Sequence, residues 1–357
     1  MSNYAIAVAS LGDYRIATMR KVKQLLGDRL RIYAGTVPAE KAIRVATAAQ
    51  IDMIEVPNIY LPGRILLQPL PPAALLADSL IVDLNPRVLQ NWLIVPLRKL
   101  LGKRTVLWGH AFPRAGEAAA SERVRRAMRS MADGLLTYTA THAEEMRRLH
   151  PGKPVFTAPN ALYHREMMRF DPSGRHTDVV YVGRLDPAKK PGLLLEAFDL
   201  VAGKLPPESR LVFVGDGASA ETLRRLAQTS PHAGRIQFLG HVSDYERLKR
   251  VYADAAVSVS PGYVGLSITQ SFSFGVPMVI SRDEKHSPEI EAAAEGENSL
   301  FFRTDSAEAL GEQILALFAD RSAWLAKGPN IVADCARAYS VEAMADGIVA
   351  ALTARPQ

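Results

Sequence analysis

The sequence has little cysteine and no long apolar run. It contains 1 Cys among 357 residues, so Cys335 can make neither an internal disulfide nor a thiolate metal site, and we expect a buried small residue in a reducing compartment. No stretch approaches about 18 uninterrupted apolar residues, and the start lacks the basic and apolar segments of a secretory signal. These absences predict a cytoplasmic protein that does not span a membrane.

The chain also lacks internal repeats, low-complexity tracts and an unusual composition. Its hydrophobic fraction of 48% and charged fraction of 22% are those of an ordinary globular protein, which excludes a largely disordered chain. A single hydrophobic core stops growing near 250 to 300 residues, whereas this chain has 357. We therefore expect two domains.

The charge is distributed unevenly along the chain. The net charge is +6, but residues 1–171 hold 24 Lys and Arg against 14 Asp and Glu, whereas the remainder holds 19 against 23. A basic half favours an anionic partner, either a membrane or a nucleic acid, although a solvated basic face without a partner remains an alternative. No interleaved aromatic residues accompany the basic stretches, so we expect no nucleic acid partner.

Short apolar runs alternate with helical patterns from end to end, which is typical of parallel sheets built from βαβ units. The first half shows seven such runs: YAIAVAS, RIYAG, DMIEV, SLIVDL, TVLWGH, GLLTYT and PVFTAPN. The second half shows six: DVVYVGRL, RLVFVGDG, RIQFLG, AVSVSP, PMVIS and SLFF. This pattern predicts an α/β protein with two Rossmann-like, doubly wound sheets.

A polar segment separates the two sets of strands. HREMMRFDPSGRHTD carries Pro172 and Gly174 and has no clear period, so we interpret it as a linker at a cleft. The predicted domains are residues 1–168 and 169–339. The last helix, within residues 340–357, follows a Ser that can cap it, and packing back onto the first domain is one option for it.

Two cations lie close to a predicted strand end in YVGRLDPAKKPGLLLEAF. Gly183 and Arg184 directly follow the strand, and Lys189 and Lys190 come where the next helix begins. Ends of parallel strands face the ligand crevice, and a helix N-terminus adds unpaired N–H groups. The segment suits a diphosphate, although an ordinary turn with surface lysines is the alternative.

Two further strand ends are weaker signals. Gly215 and Gly217 bracket Asp216 in a tight turn, but any turn that needs positive φ favours glycine. His241 follows the strand that ends at Gly240, where a flat ring could pack on a nucleobase or simply lie in solvent.

The run SPGYVGLSITQSFSFGVPMVIS is the most informative. Gly262 and Gly265 allow a ligand to approach the backbone, and Leu266 and Ser267 begin a helix whose N–H groups favour an anion. Gln270 lies one turn further along the same helix face.

In this order and spacing, five segments resemble the carboxyl-terminal domain of retaining glycosyltransferases with the GT-B fold, in the large family four: YVGRLDPAKKP, FVGDG, IQFLGHVSD, SVSPGYVGLSITQSFSFGVPMVIS and HSPEIEAAAEGENSLFF. The resemblance is strong over residues 178–302 and extends loosely over most of the chain. It implies two Rossmann-like domains that face each other across a cleft, the second of which binds a nucleotide-sugar donor.

The resemblance also assigns site residues. It makes Arg184 and Lys190 the pair that holds the donor pyrophosphate, and it makes Gln270 a ligand of the ribose hydroxyls. His241 and Ile236 are expected near the base. The cradle for phosphate and sugar is expected in the turn before the helix, which comprises Gly262, Tyr263, Val264, Gly265, Leu266 and Ser267. The remaining donor-binding residues are expected to be Gly12, Gly183 and Asp216.

The chain departs from the family pattern at one place. The family's two glutamates are absent, since Gly262 falls near the first position and Gln270 at the second. An amide oxygen can still accept from ribose, whereas contacts to the transferred sugar lose a carboxylate. A branch of polysaccharide-building relatives with GLS-containing helices also lacks this pair, and the chain is similar to it.

The amino-terminal half offers fewer candidates. His110 follows the strand in TVLWGHAFPR, where similar enzymes place a histidine against the donor sugar and its phosphate. Gly12 and Asp13 begin a helix beside the first strand. We group His110 with Arg184 and Lys190 as catalytic residues.

The resemblance implies a retaining transfer of a sugar from a nucleotide diphosphate to a hydroxyl of a lipid-linked or polysaccharide acceptor. GDP-mannose is slightly favoured over a UDP-sugar. No Asp-x-Asp sequence occurs, so we expect no metal and no cofactor besides the donor. Attack on the same face and a covalent intermediate both remain open.

The basic half provides a hypothesis about the acceptor. PLRKLLGKR and SERVRRAMRSM combine apolar residues and cations at helical spacing, as interfacial helices do. We expect these stretches to dock on an anionic membrane, which would place the protein peripherally at the inner face of the cytoplasmic membrane. The competing functions are a non-hydrolysing sugar-nucleotide epimerase, disfavoured by the missing glutamates, and a non-catalytic GT-B scaffold that binds nucleotide-sugars.

Overall fold

A computed structural model describes residues 3–37, 44–113, 116 and 118–354. The chain divides into two compact units, residues 1–162 with 339–357 and residues 163–338. The second unit begins earlier than the predicted residue 169 because the segment interpreted as a linker packs on it. Phe170 stacks on His176 with ring centroids 5.2 Å apart, and Tyr245 donates its hydroxyl to the Met167 carbonyl oxygen at 2.5 Å.

The first unit is built on a seven-stranded parallel sheet with the order β3-β2-β1-β6-β7-β8-β9. Its strands are β1 Tyr4–Val8, β2 Leu30–Gly35, β3 Ile54–Val56, β4 Ile59–Leu61, β5 Ile65–Leu67, β6 Ser79–Asp83, β7 Arg104–Trp108, β8 Gly134–Thr137 and β9 Val155–Thr157. Its first helices are α1 Ile16–Leu26, α2 Pro72–Leu75, α3 Leu89–Leu100, α4 Ser121–Met131 and α5 Ala140–Leu149. Strand β1 reads as a continuous apolar run because both faces of the sheet are covered.

The second unit holds a six-stranded parallel sheet with the order β12-β11-β10-β13-β14-β15. Its strands are β10 Asp178–Val182, β11 Leu211–Val214, β12 Ile236–Phe238, β13 Ala255–Ser260, β14 Met278–Ser281 and β15 Ser299–Phe302. Its helices are α6 Pro191–Val201, α7 Ala220–Thr229, α8 Tyr245–Asp254, α9 Ser267–Phe272, α10 Ala307–Ala319 and α11 Arg321–Tyr339. The order reverses between β10 and β13, which is where ligands bind in open sheets of this kind.

The last helix, α12 Val341–Thr353, packs on the first unit. Ser340 caps it by accepting the Ala343 N–H at 3.2 Å. A Cβ at Gly347 would lie 2.0 Å from the Thr157 carbonyl oxygen, so glycine lets the helix approach β9 closely.

The structure confirms the predicted fold class of two doubly wound, parallel α/β sheets, and every predicted strand is present. The hairpin formed by β4 and β5 was missed. Its strands are only 3 residues long, too short for a clear alternation, although Pro62 and Gly63 at its turn are typical of such a bend.

Candidate active site

The candidate site lies where β10 and β13 end side by side. These strands are parallel neighbours, so the segments that follow them meet at one edge of the second sheet. Arg184 follows β10, and the turn of Gly262 to Gly265 follows β13. The reversal of strand order opens a crevice at this edge.

Three side chains form a cationic cluster at this edge. Arg184 donates from Nη2 to the Tyr263 hydroxyl at 3.3 Å. Lys189 donates from Nζ to the Tyr263 carbonyl oxygen at 2.7 Å, and its ammonium lies 3.4 Å from the Tyr263 ring centroid. Burial, followed by the nearby charge of Arg184, lowers the pKa of Lys189 to about 8. Tyr263 thus lies between two cations. Arg184 also pairs with Asp186 at 2.8 Å, whereas Lys189 makes no ion pair with a carboxylate within the described residues.

Lys190 does not join this cluster, although the sequence predicted that it holds the donor pyrophosphate together with Arg184. Its ammonium pairs with Glu284 Oε1 at 2.5 Å and with Asp305, and its backbone has φ of 51° at the start of α6. Burial opposes the charge, but the hydrogen bonds to Asp305 and Glu284 outweigh it and raise the pKa of Lys190. The structure therefore brings Lys189, rather than Lys190, to Arg184 and the turn after β13.

The two glycines of this turn have different surroundings. A Cβ at Gly262 would lie 2.5 Å from the Ala188 carbonyl oxygen, so glycine is needed for the turn to pack on the Lys189 segment. A Cβ at Gly265 would meet nothing closer than Ser287 Oγ at 3.6 Å. Packing within the protein therefore explains glycine at 262, whereas a Cβ at 265 would make only ordinary contacts.

His286 stabilises this turn through hydrogen bonds of both ring nitrogens. Its Nδ1 accepts the Val264 N–H at 2.9 Å, and its Nε2 lies 2.9 Å from the Ser281 carbonyl oxygen, to which it donates. Ser287 N–H donates to the Val264 carbonyl oxygen at 3.0 Å. Since both polar groups of its backbone are engaged within the protein, Val264 supports the turn, and its predicted part in the cradle for phosphate and sugar stays a prediction.

Helix α9 begins directly after this turn. Leu266 is its N-cap residue and no side chain caps it, so the N–H groups of its first turn lack a side-chain acceptor. Gln270 lies one turn on and donates from Nε2 to the Tyr163 hydroxyl at 2.9 Å. Burial raises the pKa of Tyr163 to about 12, so its phenol stays protonated, and the amide oxygen of Gln270 is left for another partner.

The turn around Asp216 is explained by packing. A Cβ at Gly215 would lie 1.8 Å from the Gly183 carbonyl oxygen, and one at Gly217 would lie 2.7 Å from the Leu185 carbonyl oxygen. The Asp216 carbonyl oxygen accepts the Leu185 N–H at 2.9 Å. These residues fasten the turn after β11 to the turn that carries Arg184.

The residues predicted near the base separate. His241 is exposed and follows the carboxyl end of β12. Ile236 begins β12, pairs with Leu211 at the amino end of β11 and packs on the core of the second unit. Ligands bind at carboxyl ends of such strands, so the position of Ile236 does not fit a contact with the base.

His110 lies at the corresponding edge of the first unit. Its ring is edge-on to Tyr138, with centroids 5.0 Å apart. Arg15 donates to the Tyr138 hydroxyl at 3.0 Å and to Asn160 at 2.9 Å, and its guanidinium is 4.6 Å from the Trp108 ring centroid. Burial opposes the charge, but Tyr138 and Tyr14 outweigh it and raise the pKa of Arg15.

Gly12 and Asp13 lie three and two positions before Arg15 in the sequence. Gly12 bridges to Val45, and the Asp13 N–H donates to the Arg44 carbonyl oxygen at 3.0 Å. The Asp13 side chain is exposed.

Several cations of the predicted interfacial stretches are internal. Arg98 is fully buried and donates to Thr105 Oγ1 at 3.0 Å and to backbone carbonyl oxygens. Arg129 is fully buried beside Glu122, and Arg104 is also buried. These arginines fasten the first unit and do not face a partner, so the basic stretches carry fewer surface charges than the sequence suggested.

Sequence reasoning placed Lys189 and Lys190 together at the helix start but gave the pyrophosphate to Lys190, and it missed His286 and Arg15 as residues of the two sheet edges. Lys189 and Lys190 are adjacent, and the carboxylates that pair with Lys190, Glu284 and Asp305, are distant in sequence. His286 is 22 residues from the Val264 N–H that it accepts, so no local pattern indicates the contact. Arg15 stands two positions after Asp13, and its clustering with Trp108 and Tyr138 depends on strand order.

No helix within the described ranges is long and apolar enough to cross a membrane. The same ranges contain no group of three or more His, Cys, Asp or Glu side chains that could hold a metal ion. Metal independence stays a prediction.

Comparisons with known proteins show which proteins the chain is similar to. Residues 167–330 match the family model of the glycosyl transferases group 1. A D-inositol 3-phosphate glycosyltransferase from Mycobacterium sp. (strain KMS) is 32% identical over 168 residues, which are 42% of this chain and 37% of that protein. A sulfoquinovosyl transferase from Arabidopsis thaliana is 28% identical over 193 residues, 52% of this chain and 36% of that protein. The chain thus spans little more than a third of the length of these relatives.

Solved structures share the whole architecture. The Anabaena protein HepE in complex with UDP has a TM-score of 0.69 at 14% identity, over 97% of this chain and 98% of that one. The lipopolysaccharide outer core galactosyltransferase WaaB has a TM-score of 0.68 at 14% identity, over 98% and 99% of the two chains. The fold is therefore that of the GT-B glycosyltransferases, as the resemblance implied. Within it, the second unit carries the region that matches the glycosyl transferases group 1.

Proposed function

We propose that the protein transfers a sugar from a nucleotide diphosphate sugar to an acceptor hydroxyl. The observation that carries this proposal is the cluster of Arg184, Tyr263 and Lys189 at the reversal of strand order. The match of residues 167–330 to the glycosyl transferases group 1 supports it.

The chemistry follows from the charge that develops on the leaving group. When the bond to the sugar breaks, negative charge grows on the diphosphate, and preorganised cations and N–H groups stabilise it. Arg184 and Lys189 are the proposed cations, so Lys189 replaces Lys190 in this role. Gly265 and Ser267 offer the N–H groups at the start of α9.

The finer features of the donor are proposals as well. The amide oxygen of Gln270 is proposed to accept from the ribose, because its amide nitrogen is engaged with Tyr163. A metal-independent, retaining reaction is proposed from the family resemblance. GDP-mannose stays the sequence-based preference, but the UDP and UDP-glucose complexes of HepE favour testing uracil donors first.

The acceptor is proposed to be a lipid-linked or polysaccharide hydroxyl, with the first unit at an anionic membrane. The two relatives have names that refer to D-inositol 3-phosphate and sulfoquinovose transfer, and neither decides the acceptor here. The roles predicted for His110, Gly12 and His241 stay predictions. A non-catalytic scaffold would bind the donor without releasing nucleotide diphosphate, which separates it from an enzyme.

The decisive experiment is calorimetric titration of the protein with UDP and GDP. Lys189→Ala removes a charge-assisted contact worth about 1.5–3 kcal/mol, so we expect affinity for the preferred nucleotide to fall about tenfold to a hundredfold. Lys190→Ala is a matched control, because its ammonium pairs with Glu284 and Asp305, and we expect little change.

Each outcome has a defined meaning. Absence of binding to either nucleotide would contradict the donor site. Equal losses in both variants, or a loss only in Lys190→Ala, would restore the sequence-based assignment. Release of nucleotide diphosphate from a bound nucleotide-sugar in the presence of acceptor would then distinguish a transferase from a scaffold, and interconversion of two nucleotide-sugars would indicate an epimerase.

A further inference from the structure

Helix α3 presents a row of leucines to solvent. Leu89, Leu93, Leu97 and Leu100 follow at helical spacing, and Leu101 ends the row. Leu93 is 74% exposed and Leu100 is 86% exposed. Residues three or four apart share one helix face, so these side chains form a continuous apolar stripe, hereafter the leucine stripe.

The opposite face of α3 is fully packed. Ile94 and Val95 belong to the core of the first unit, and Arg98 is buried with donors directed to carbonyl oxygens. The helix therefore has a fixed orientation. The leucine stripe is an outer surface and does not arise from a poorly packed helix.

A second apolar surface lies on the neighbouring hairpin. Strands β4 and β5 are tied to the start of α3 by the Leu66 N–H, which donates to the Arg87 carbonyl oxygen at 2.8 Å. Ile59 pairs with Leu67, and both side chains are exposed together with Leu61. More than half of the exposed large hydrophobic side chains in the described ranges lie between residues 59 and 101: Ile59, Leu61, Leu67, Leu76, Leu89, Leu93, Leu97, Leu100 and Leu101.

This region exposes cations but no unpaired carboxylate. Arg64, Arg87 and Lys99 are exposed. The acidic residues between positions 57 and 104 are Asp78 and Asp83. Asp78 pairs with Lys103 at 2.7 Å, and Asp83 accepts the Ala9 N–H at 2.5 Å.

We propose that the leucine stripe inserts into the surface of an anionic lipid bilayer, with Arg64, Arg87 and Lys99 contacting lipid phosphates. Aliphatic side chains flanked by cations are the pattern of helices that lie in membrane interfaces. A second copy of the chain suits this surface less, because a two-fold interface would place its cations against one another. Protein interfaces are also enriched in aromatic residues, whereas the stripe consists of leucine.

The leucine stripe is the surface for the membrane part of the proposed function, and its insertion into a bilayer does not depend on sugar transfer. It also moves the docking surface away from α4, whose exposed large hydrophobic residue is Val124 alone among its described side chains. The hairpin of β4 and β5, which sequence reasoning missed, joins it instead.

The test is cosedimentation of the full chain with vesicles of phosphatidylcholine, with and without phosphatidylglycerol. The variant Leu93→Gln/Leu97→Gln/Leu100→Gln removes apolar area while keeping good helix formers. We expect its partitioning onto anionic vesicles to fall about tenfold or more. The matched control is Leu200→Gln/Leu226→Gln in the second unit, where the leucines are 53% and 52% exposed, and we expect it to bind like the unaltered chain.

The charge is tested with Arg64→Gln/Arg87→Gln/Lys99→Gln. We expect weaker binding to anionic vesicles at about 0.1 M salt, and we expect binding of the unaltered chain to weaken at about 1 M salt, where charges are screened within a few ångströms. Binding that persists unchanged at high salt would overturn the role of the cations.

Three results would overturn the proposal itself. The first is no binding to anionic vesicles, and the second is equal binding by the leucine variant and its control. The third is a dimer that the leucine variant dissociates, which would identify the stripe as an interface between copies. Calorimetry with UDP and GDP on the same variants reports on the donor site separately, so failure of one proposal does not imply failure of the other.

Discussion

The two units share a parallel-sheet architecture but place their charges differently. In the first unit, Arg98 and Arg129 are fully buried and act as internal fasteners, while leucines of α3 face outward. In the second unit, Arg184 and Lys189 gather around Tyr263 at a sheet edge. A basic segment therefore need not have a basic surface, and the unit with fewer cations holds the concentrated cationic cluster.

The difference is one of hydrogen-bond partners. Arg98 directs its donors to carbonyl oxygens, including those of Ala77 at 2.8 Å and Arg104 at 2.7 Å, and burial lowers its pKa to about 10. Such a cation has no capacity left for a ligand. Lys189 donates to one carbonyl oxygen and a ring face, so it can turn to a diphosphate at little cost.

The largest expected effect is the loss of stability when the buried Arg98 is replaced. Arg98→Met should destabilise the first unit by about 3–5 kcal/mol, because several buried carbonyl oxygens lose their donors. Denaturant unfolding measures this, with nucleotide calorimetry showing that the second unit still binds. The exposed neighbour provides the control, since Lys99→Met should change stability by less than about 0.5 kcal/mol. Equal stability of the two variants would contradict the fastener role.

Next comes the pair of glycines in the turn after β13. Gly262→Ala should cost about 1–3 kcal/mol of stability, because its Cβ would meet the Ala188 backbone. Gly265→Ala should leave stability within about 0.5 kcal/mol but weaken nucleotide binding, because its Cβ would lie next to the N–H groups that are proposed to bind the ligand. Thermal unfolding and calorimetry on both variants measure this. Normal nucleotide affinity in Gly265→Ala would remove that position from the site.

A smaller effect is expected from pH. Lys189 carries its charge below its pKa of about 8, and an anionic ligand favours the charged form. Nucleotide affinity should therefore fall by up to about tenfold per pH unit as pH rises above 8, the limit for uptake of one proton. Calorimetry across this range measures the slope. Lys189→Arg should flatten it, because a guanidinium stays charged, and the same slope in both proteins would place the titration elsewhere.

The smallest expected effect concerns His286. His286→Ala loses the acceptor for the Val264 N–H and should cost about 1–2 kcal/mol, whereas His286→Asn retains an acceptor near the position of Nδ1 and should lose less. Burial lowers the pKa of His286 below its ordinary 6.5. As pH falls below about 6.5, the unfolded chain binds this proton first, so the folded state loses stability on acidification. Denaturant unfolding at several pH values should show a smaller acid loss in the alanine variant.

The fold was predictable from the sequence to a large degree. Short continuous apolar runs, separated by helical patterns, identified every strand of the two main sheets, because buried parallel strands need apolar side chains on both faces. The hairpin of β4 and β5 escaped because strands of three residues carry too little pattern. The candidate site was predictable in part, since Arg184 follows β10 and the turn of Gly262 to Gly265 follows β13, which places both at the sheet edge.

By itself, the sequence determined the strands, the helix starts and the turns between them, because each of these depends on residues a few positions apart. The tertiary structure decided which cations are available. Lys190 pairs with Glu284, whereas Lys189 contacts Tyr263. Arg98 is buried, while its neighbours Leu97 and Leu100 are exposed. These contacts join residues that are distant in sequence, so the spacing of residues along the chain does not predict them.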